Sequence, residues 1–324
     1  MSGKIKLHQK ETVVEQCLLV EGLSRAGKML VAPLVTNLKG IEYANPVPAV
    51  DHVPILWHLG VLDTDNAVAY LRMCVDVAIY DRMVGRNLNT RLTDVYTVHR
   101  SLEAPEIVGR GFCPEGKAAV DAFNAKGFIS SFITHEMLPH AQLWFQAYPG
   151  VRILNTVRHP VDVAHSWLRK GWGDRWGNDP LAFIPVPETE NGPVPWFALP
   201  FVDDYHRGNA EERILLCVLK LQELYDEAYA ALTSAQREQT LVVGFEDIAV
   251  RPLEVLDEVA TWLGTSVPAN IGVPMARERV PRVIDHSERG RKAEDFRKAV
   301  PAQLFDRLMA SARAYEERWG LPAA

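Results

Sequence analysis

Along this chain, apolar residues fall into a few short continuous runs, separated by longer stretches in which they recur every three or four positions. The first run, Val13 to Val20, is mostly apolar and of strand length. A strand of this kind is covered on both faces, as in a parallel sheet packed between helices. Gly127–Thr134, Val151–Val157 and Thr240–Phe245 are the other main strand candidates, and Ile41–Tyr43 is a minor one.

Helical spacing predicts a helix from about Gly27 to Leu38, with Pro33 placed to kink it after its first turn. Asn66–Met83 is a second, capped by Asn66, with Val68, Leu71, Met73, Val75, Ile79 and Met83 as its apolar stripe. Lys117–Lys126, Pro139–Ala147 and Pro252–Leu263 follow the same spacing, and Asp162–Leu168 continues from Pro160 at a first-turn position. Asn209–Leu232 opens on Asn209 with Glu212 three residues on, a capping box. Phe305, Leu308, Ala312, Tyr315 and Trp319 mark a terminal amphipathic helix. Residues 45–62 are proline-rich and read as loop with a short helix, Gly85–Leu102 as loop, and 277–292 as an arginine-bearing loop.

Strands alternating with helices predict an α/β fold, a three-layer sandwich around a central, mostly parallel sheet. No repeat or clean linker divides residues 1–324, so one domain is expected. Residues 171–207, rich in Gly, Pro, Trp and Asp and without a period, are an excursion of the sort that builds lids or substrate walls. Its Trp172, Trp176, Trp196 and Phe197 can clamp a ligand, or equally pack as a satellite core.

With 48% hydrophobic and 23% charged residues, the 324-residue chain is able to bury a sizeable core. A net charge of -6 speaks against a general nucleic-acid binder, while leaving room for a local basic cleft. Cys17, Cys74, Cys113 and Cys217 are too scattered for a metal pair or a disulfide framework and read as buried thiols in a reducing compartment. The polar start, MSGKIKLHQKE, is unlike a signal peptide, and no apolar run is long enough to span a membrane, so the expected location is cytoplasmic.

The chemistry concentrates in two segments. After the first strand comes Gly22-Leu23-Ser24-Arg25-Ala26-Gly27-Lys28-Met29, a glycine-bracketed loop that opens a helix. Backbone N–H groups from Leu23 to Lys28 can wrap a phosphate, with the helix dipole behind them and Arg25 and Lys28 adding charge. The bland alternative is a glycine turn with Lys28 in solvent. Met29 stands where a nucleoside triphosphatase needs a hydroxyl for Mg²⁺, so the loop points to a phosphorylated ligand whose chemistry needs no metal. The second segment, Arg158-His159-Pro160-Val-Asp162-Val-Ala-His165-Ser166, follows a predicted buried strand. Arg158 thus lies at the carboxyl edge of the sheet, where open α/β sheets bind ligands, and a guanidinium fork with the Ser166 hydroxyl suits a second phosphate. Alternatively, Arg158 simply pairs with Asp162.

Together these segments resemble the sulfotransferases that use 3′-phosphoadenosine 5′-phosphosulfate (PAPS). The family's loop, Gly-x-x-Arg-Ser-Gly-Thr-Thr, is matched by Gly22, Arg25 and Gly27, with Ala26, Lys28 and Met29 in place of its hydroxyl residues. Arg158, Pro160, Asp162 and Ser166 match the spacing of its second signature, and Val242-Val-Gly-Phe-Glu246-Asp247-Ile is similar to its late strand. The resemblance implies a P-loop-like sulfotransferase fold and a PAPS site formed by residues 22–29, Arg158 and Ser166, with adenosine 3′,5′-bisphosphate as product. Arg289, Gly290 and Arg291 have a looser likeness to the family's late 3′-phosphate segment.

Sulfuryl transfer needs a base for the acceptor hydroxyl. By the same resemblance His135, in Thr134-His135-Glu136, stands where cytosolic members carry theirs; Glu136 is the neighbouring alternative, with His159 and His165 as competitors. An unperturbed histidine suits proton abstraction near neutrality. The expectation is a metal-independent sulfotransferase in which Lys28 stabilises the leaving phosphate. Its rivals are an ATP-dependent P-loop kinase and a nucleotide-binding protein without activity. The sequence leaves open whether the acceptor is carbohydrate, lipid, small metabolite or protein, and whether the chain forms a homodimer.

Overall fold

The structure is a computed structural model and describes residues 5–322; Met1–Lys4 of the polar start lie outside the described residues. Its main sheet contains β1 (Cys17–Gly22), β2 (Asn45–Pro46), β3 (Ser130–Ile133), β4 (Arg152–Val157) and β7 (Thr240–Gly244), in the order β2-β3-β1-β4-β7. Every pairing in it is parallel. The remaining strands, β5 (Glu188–Thr189) and β6 (Gly192–Pro193), form a small antiparallel hairpin inside the 171–207 excursion.

The unbroken apolar run of β1 is explained by the two layers around it. Cys17 and Leu19 face a core shared with helices Thr64–Met83, Pro160–Leu168 and Ala210–Ala230. Leu18 and Val20 face a second core with helices Lys28–Val35 and Pro252–Leu263. Successive side chains on a strand point to opposite faces, so both sets must be apolar when both faces are covered. The fold is therefore α/β, with a central parallel sheet between helical layers.

Several boundaries differ from the sequence reading. The first strand begins at Cys17, because Val13 donates its N–H to the Asp76 side chain at 3.1 Å instead of to a ladder. Ile41 makes only an isolated bridge to Ile129, and the paired strand is Asn45–Pro46. The long helix starts at Thr64 and is capped by Asp63, whose carboxylate accepts from Asn66 N–H at 3.0 Å, so Asn66 is the capped residue and not the cap. Met73 lies outside its apolar stripe, 44% exposed. Residues 45–62 hold an 11-residue helix, Pro48–His58, and 277–292 spans the ends of two helices, Gly272–Glu278 and Glu288–Arg297. Of the thiols, Cys17 and Cys217 are buried, whereas Cys113 is exposed and Cys74 half-buried. The capping box at Asn209 and Glu212 is formed. Among the described residues no helix is long and apolar enough to cross a membrane.

Candidate active site

The chain reverses its direction of travel across the sheet beside β1: β3 lies on one side of it and β4 on the other. Ligand crevices of open α/β sheets form at such a point. The loop 23–27 leaves the carboxyl end of β1 there, and Arg158 follows the end of β4. Gly22, at φ 144°, runs so close to β4 that an added Cβ would lie 2.3 Å from the Thr156 carbonyl oxygen. Gly27, at φ 120°, would place one 2.5 Å from the Phe245 ring. Only glycine fits these approaches. Between them Arg25 takes φ 78°, and Ala26 N–H donates to Leu23 C=O at 2.9 Å.

The two predicted phosphate segments meet. Arg25 Nε donates to Ser166 Oγ at 2.9 Å, and Arg158 Nη1 donates to the Arg25 carbonyl at 3.4 Å. Trp167 Nε1 donates to the Ser24 carbonyl at 2.8 Å, pinning the loop to the Ser166 helix. The Arg158 guanidinium carbon lies 4.2 Å from the Phe245 ring centroid, and its Nε is buried without a partner. Burial pushes the Arg158 pKa down, against the pull of Asp162 and Glu246. Lys28 is not in solvent: it is buried, and Nζ turns back to donate to the Gly22 carbonyl. Burial lowers its pKa too, opposed by Glu136 and Glu21. Met29 is the second residue of helix Lys28–Val35.

His135 and Glu136 are separated by their partners. Glu136, at φ 54° and buried, accepts from Ser24 N–H at 2.7 Å and so braces the loop. His135 is held by Asp51, a residue the sequence reading missed. Asp51 Oδ1 accepts from His135 N–H at 3.1 Å, and Oδ2 lies 3.0 Å from His135 Nδ1. A carboxylate on Nδ1 fixes the proton there and leaves Nε2 as the basic nitrogen. The only clue in the sequence was an acid in the first turn after Pro48; nothing linked it to a histidine 84 residues away. The two competing histidines are engaged elsewhere: His159 Nε2 lies 3.0 Å from Glu316, and His165 Nε2 lies 3.4 Å from Asp295.

Arg289 belongs to a buried ion cluster behind Arg158. Its Nε donates to Asp162 at 3.1 Å and its Nη2 to Glu246 at 2.8 Å, while Nη1 is buried without a partner. Lys292 Nζ donates to Asp162 at 2.6 Å. Burial alone would raise the Asp162 carboxyl, but Lys292 and Arg158 hold it below its ordinary value. The simple Arg158–Asp162 ion pair is replaced by these contacts. Gly290 borders open space, and Arg291 is exposed, 3.6 Å from Glu288 and away from the loop's contacts.

Beside His135 opens a cavity of about 440 Å³. Asp51, His135, Glu136 and Ser24 form its polar end, and the 171–207 excursion supplies much of the opposite wall. There Trp167, Trp172, Trp176 and Phe197 pack edge-on or tilted, with Trp167–Trp172 centroids 5.1 Å apart and Trp176–Phe197 5.9 Å. These aromatics are a satellite core and a cavity wall at once. Trp196 is not among the residues lining the cavity; it joins the same cluster edge-on to Phe197, with centroids 5.4 Å apart, and packs against His58 and His140.

No protein-family model matches the sequence, and no curated protein sequence matches it. Among solved structures, the chain is similar to the sulfotransferase domain of the olefin synthase of Synechococcus PCC 7002, at 12% identity over 96% of this chain and 98% of that one, with a TM-score of 0.47. It is similar also to the sulfotransferase domain of the curacin biosynthetic pathway, at 9% identity over 96% and 99%, with a TM-score of 0.46. A sulfotransferase from Alicyclobacillus acidocaldarius matches at 16% identity over 93% and 96%, with a TM-score of 0.39.

Proposed function

We propose that this chain is a sulfotransferase that moves a sulfuryl group from PAPS to an acceptor hydroxyl. The observation that carries the reading is the convergence of Arg25, Ser166 and Arg158 on one glycine-bracketed loop. Two guanidinium nitrogens, Arg158 Nε and Arg289 Nη1, are buried there or just behind without partners. Buried donors of this kind are costly unless something accepts from them, and a doubly phosphorylated nucleotide supplies acceptors. Ser24 N–H and Ala26 N–H already donate to Glu136 and to Leu23 C=O, so the residues that fit the donor are the other loop amides and the Arg25 side chain for the 5′-phosphate, with Arg158 and Ser166 for the 3′-phosphate.

Lys28 reaches the donor only by leaving the Gly22 carbonyl, a shift that would bring its charge to the leaving phosphate as it forms. His135 takes the acceptor proton on Nε2 while the acceptor oxygen bonds to sulfur. The electron pair of the broken S–O bond stays on the phosphate, where the loop amides stabilise it. Met29 supplies no hydroxyl for Mg²⁺, which disfavours the kinase reading.

Calorimetry tests this. Adenosine 3′,5′-bisphosphate should bind without added metal, and Arg158→Ala should weaken it by about 10–100-fold, as loss of a charged hydrogen-bonding partner does. Tight binding of ATP with Mg²⁺ in preference to the bisphosphate would favour the kinase. Bisphosphate binding with no transfer from PAPS to any acceptor would identify a binding protein.

A further inference from the structure

We infer that Glu136 is a positioning residue of the phosphate loop: together with Trp167 it clamps Ser24 from both sides and so holds the loop's free amides in place for the donor's 5′-phosphate. That the ligand is a sulfuryl donor rests on the sulfotransferase reading; the clamp is a property of the chain without ligand.

A carboxylate is an unexpected neighbour for an anion site. Glu136 is buried beside the loop, where its charge repels a phosphate. Its backbone, at φ 54°, lies in the left-handed region that a residue with a Cβ enters at a cost. Two unfavourable features at one residue call for a compensating contact, and the contact is with the loop. Glu136 Oε1 accepts from Ser24 N–H at 2.7 Å, across 112 residues of chain. An ionised acceptor makes such a bond strong. Burial also lowers the Lys28 pKa, and among the charges opposing this Glu136 comes first, ahead of Glu21 and Asp51.

The other side of Ser24 is held by Trp167, whose Nε1 donates to the Ser24 carbonyl at 2.8 Å. The indole is itself buried and packed against Trp172, Trp176 and Phe197. Glu136 comes from the segment after β3, and Trp167 from the helix after β4. These strands flank β1 on its two sides, so the loop that leaves β1 is gripped by the segments that follow both of its neighbours.

The grip fixes a donor for the ligand. A trans peptide group is planar, with its C=O and N–H pointing opposite ways. Holding the Ser24 carbonyl against Trp167 therefore turns the Arg25 N–H of the same plane away from the aromatic wall. That N–H makes no hydrogen bond among the described residues, whereas those of Ser24 and Ala26 do. Without the clamp a ligand would have to order the loop as it bound, which lowers affinity.

The test compares Glu136→Gln with Glu136→Ala in the full chain. Both remove the charge and both keep a Cβ, so repulsion and backbone strain are matched; only Gln keeps an oxygen for Ser24 N–H. In the ligand-free chain, the Ser24 amide should exchange with deuterium about tenfold faster in Glu136→Ala than in Glu136→Gln, read by NMR. By calorimetry, adenosine 3′,5′-bisphosphate should bind Glu136→Ala about tenfold more weakly than Glu136→Gln. Adenosine 3′-phosphate, which lacks the group the loop holds, should bind both alike. Trp167→Phe keeps a ring, removes the N–H donor, and should show the same selective loss against the unaltered chain. The inference is overturned if Ser24 exchanges alike in the two Glu136 variants, or if the bisphosphate binds them alike. It is overturned too if the 3′-phosphate loses as much, the mark of a general defect, or if Trp167→Phe keeps full bisphosphate affinity. Failure of the unaltered chain to bind the bisphosphate would sink the sulfotransferase reading, and the exchange rates would still judge the clamp.

Discussion

At the scale of single residues, the arrangement with most chemical consequence is Asp51 against His135. Because Asp51 Oδ1 is committed to the His135 backbone N–H, only Oδ2 faces Nδ1. In Asp51→Asn the amide oxygen keeps the backbone contact, so the amide nitrogen faces Nδ1 and donates to it. The imidazole proton then moves to Nε2, where the proposed mechanism requires a free lone pair. Turnover, kcat, should fall by about 10²–10⁴-fold, with KM and bisphosphate affinity nearly unchanged; an unaltered kcat would remove His135 from the role of base. Glu21 bears on stability instead. Burial raises its carboxyl to about 7, opposed by Lys28 and by hydrogen bonds from Tyr225 and Met137. The unfolded carboxyl titrates near ~4.3, so between these values the folded chain holds a proton that the unfolded chain has released. Stability from this group is therefore present at low pH and lost as pH rises towards about 7. Relative to the unaltered chain, Glu21→Gln should gain melting temperature between pH 5 and pH 8, as differential scanning calorimetry would show.

At the scale of elements, the loop between β1 and helix Lys28–Val35 depends on how closely two strands approach. Both glycines of the loop have positive φ, but so do glycines in open turns, and the difference is what a methyl group would strike. At Gly22 it strikes the Thr156 carbonyl, whereas at Gly60, φ 71°, it meets nothing within 4 Å. Gly22→Ala should cost about 3 kcal/mol and Gly60→Ala about 1 kcal/mol, measured by urea unfolding. Similar losses for the two would mean that backbone conformation alone, and not the close approach of β4, demands glycine at Gly22.

At the scale of the molecule, Arg289 ties three distant segments together. It holds Asp162 in the helix after β4 and Glu246 after β7, from a helix that follows both. Tyr315 Oη, in the last helix, donates to the same Glu246 at 2.7 Å. Removing one partner of a buried ion cluster leaves uncompensated charge, so Arg289→Met should destabilise by about 3–5 kcal/mol. It should also weaken bisphosphate binding, because Arg158 is positioned against the same carboxylates. Unchanged unfolding in urea would show that Lys292 alone neutralises the cluster.

The sequence by itself determined what depends on local pattern. Unbroken apolar runs announced strands covered on both faces, and Gly22 and Gly27 marked a tight loop that opens a helix after the first strand. The spacing from Arg158 to Ser166 placed a guanidinium and a hydroxyl on one turn-and-helix unit. Those signals survive in one dimension because strand alternation, helix period and positive φ act over a few residues. Tertiary structure decided the rest. Asp51 faces His135 across 84 residues, and Lys28 turned out buried and bonded to Gly22 instead of extended towards solvent. Arg289, 127 residues from Asp162, joined an ion cluster. Each of these depends on which surfaces chain folding brings within a few ångströms, where desolvation makes every unpaired charge seek a partner, and no spacing along the chain encodes that choice.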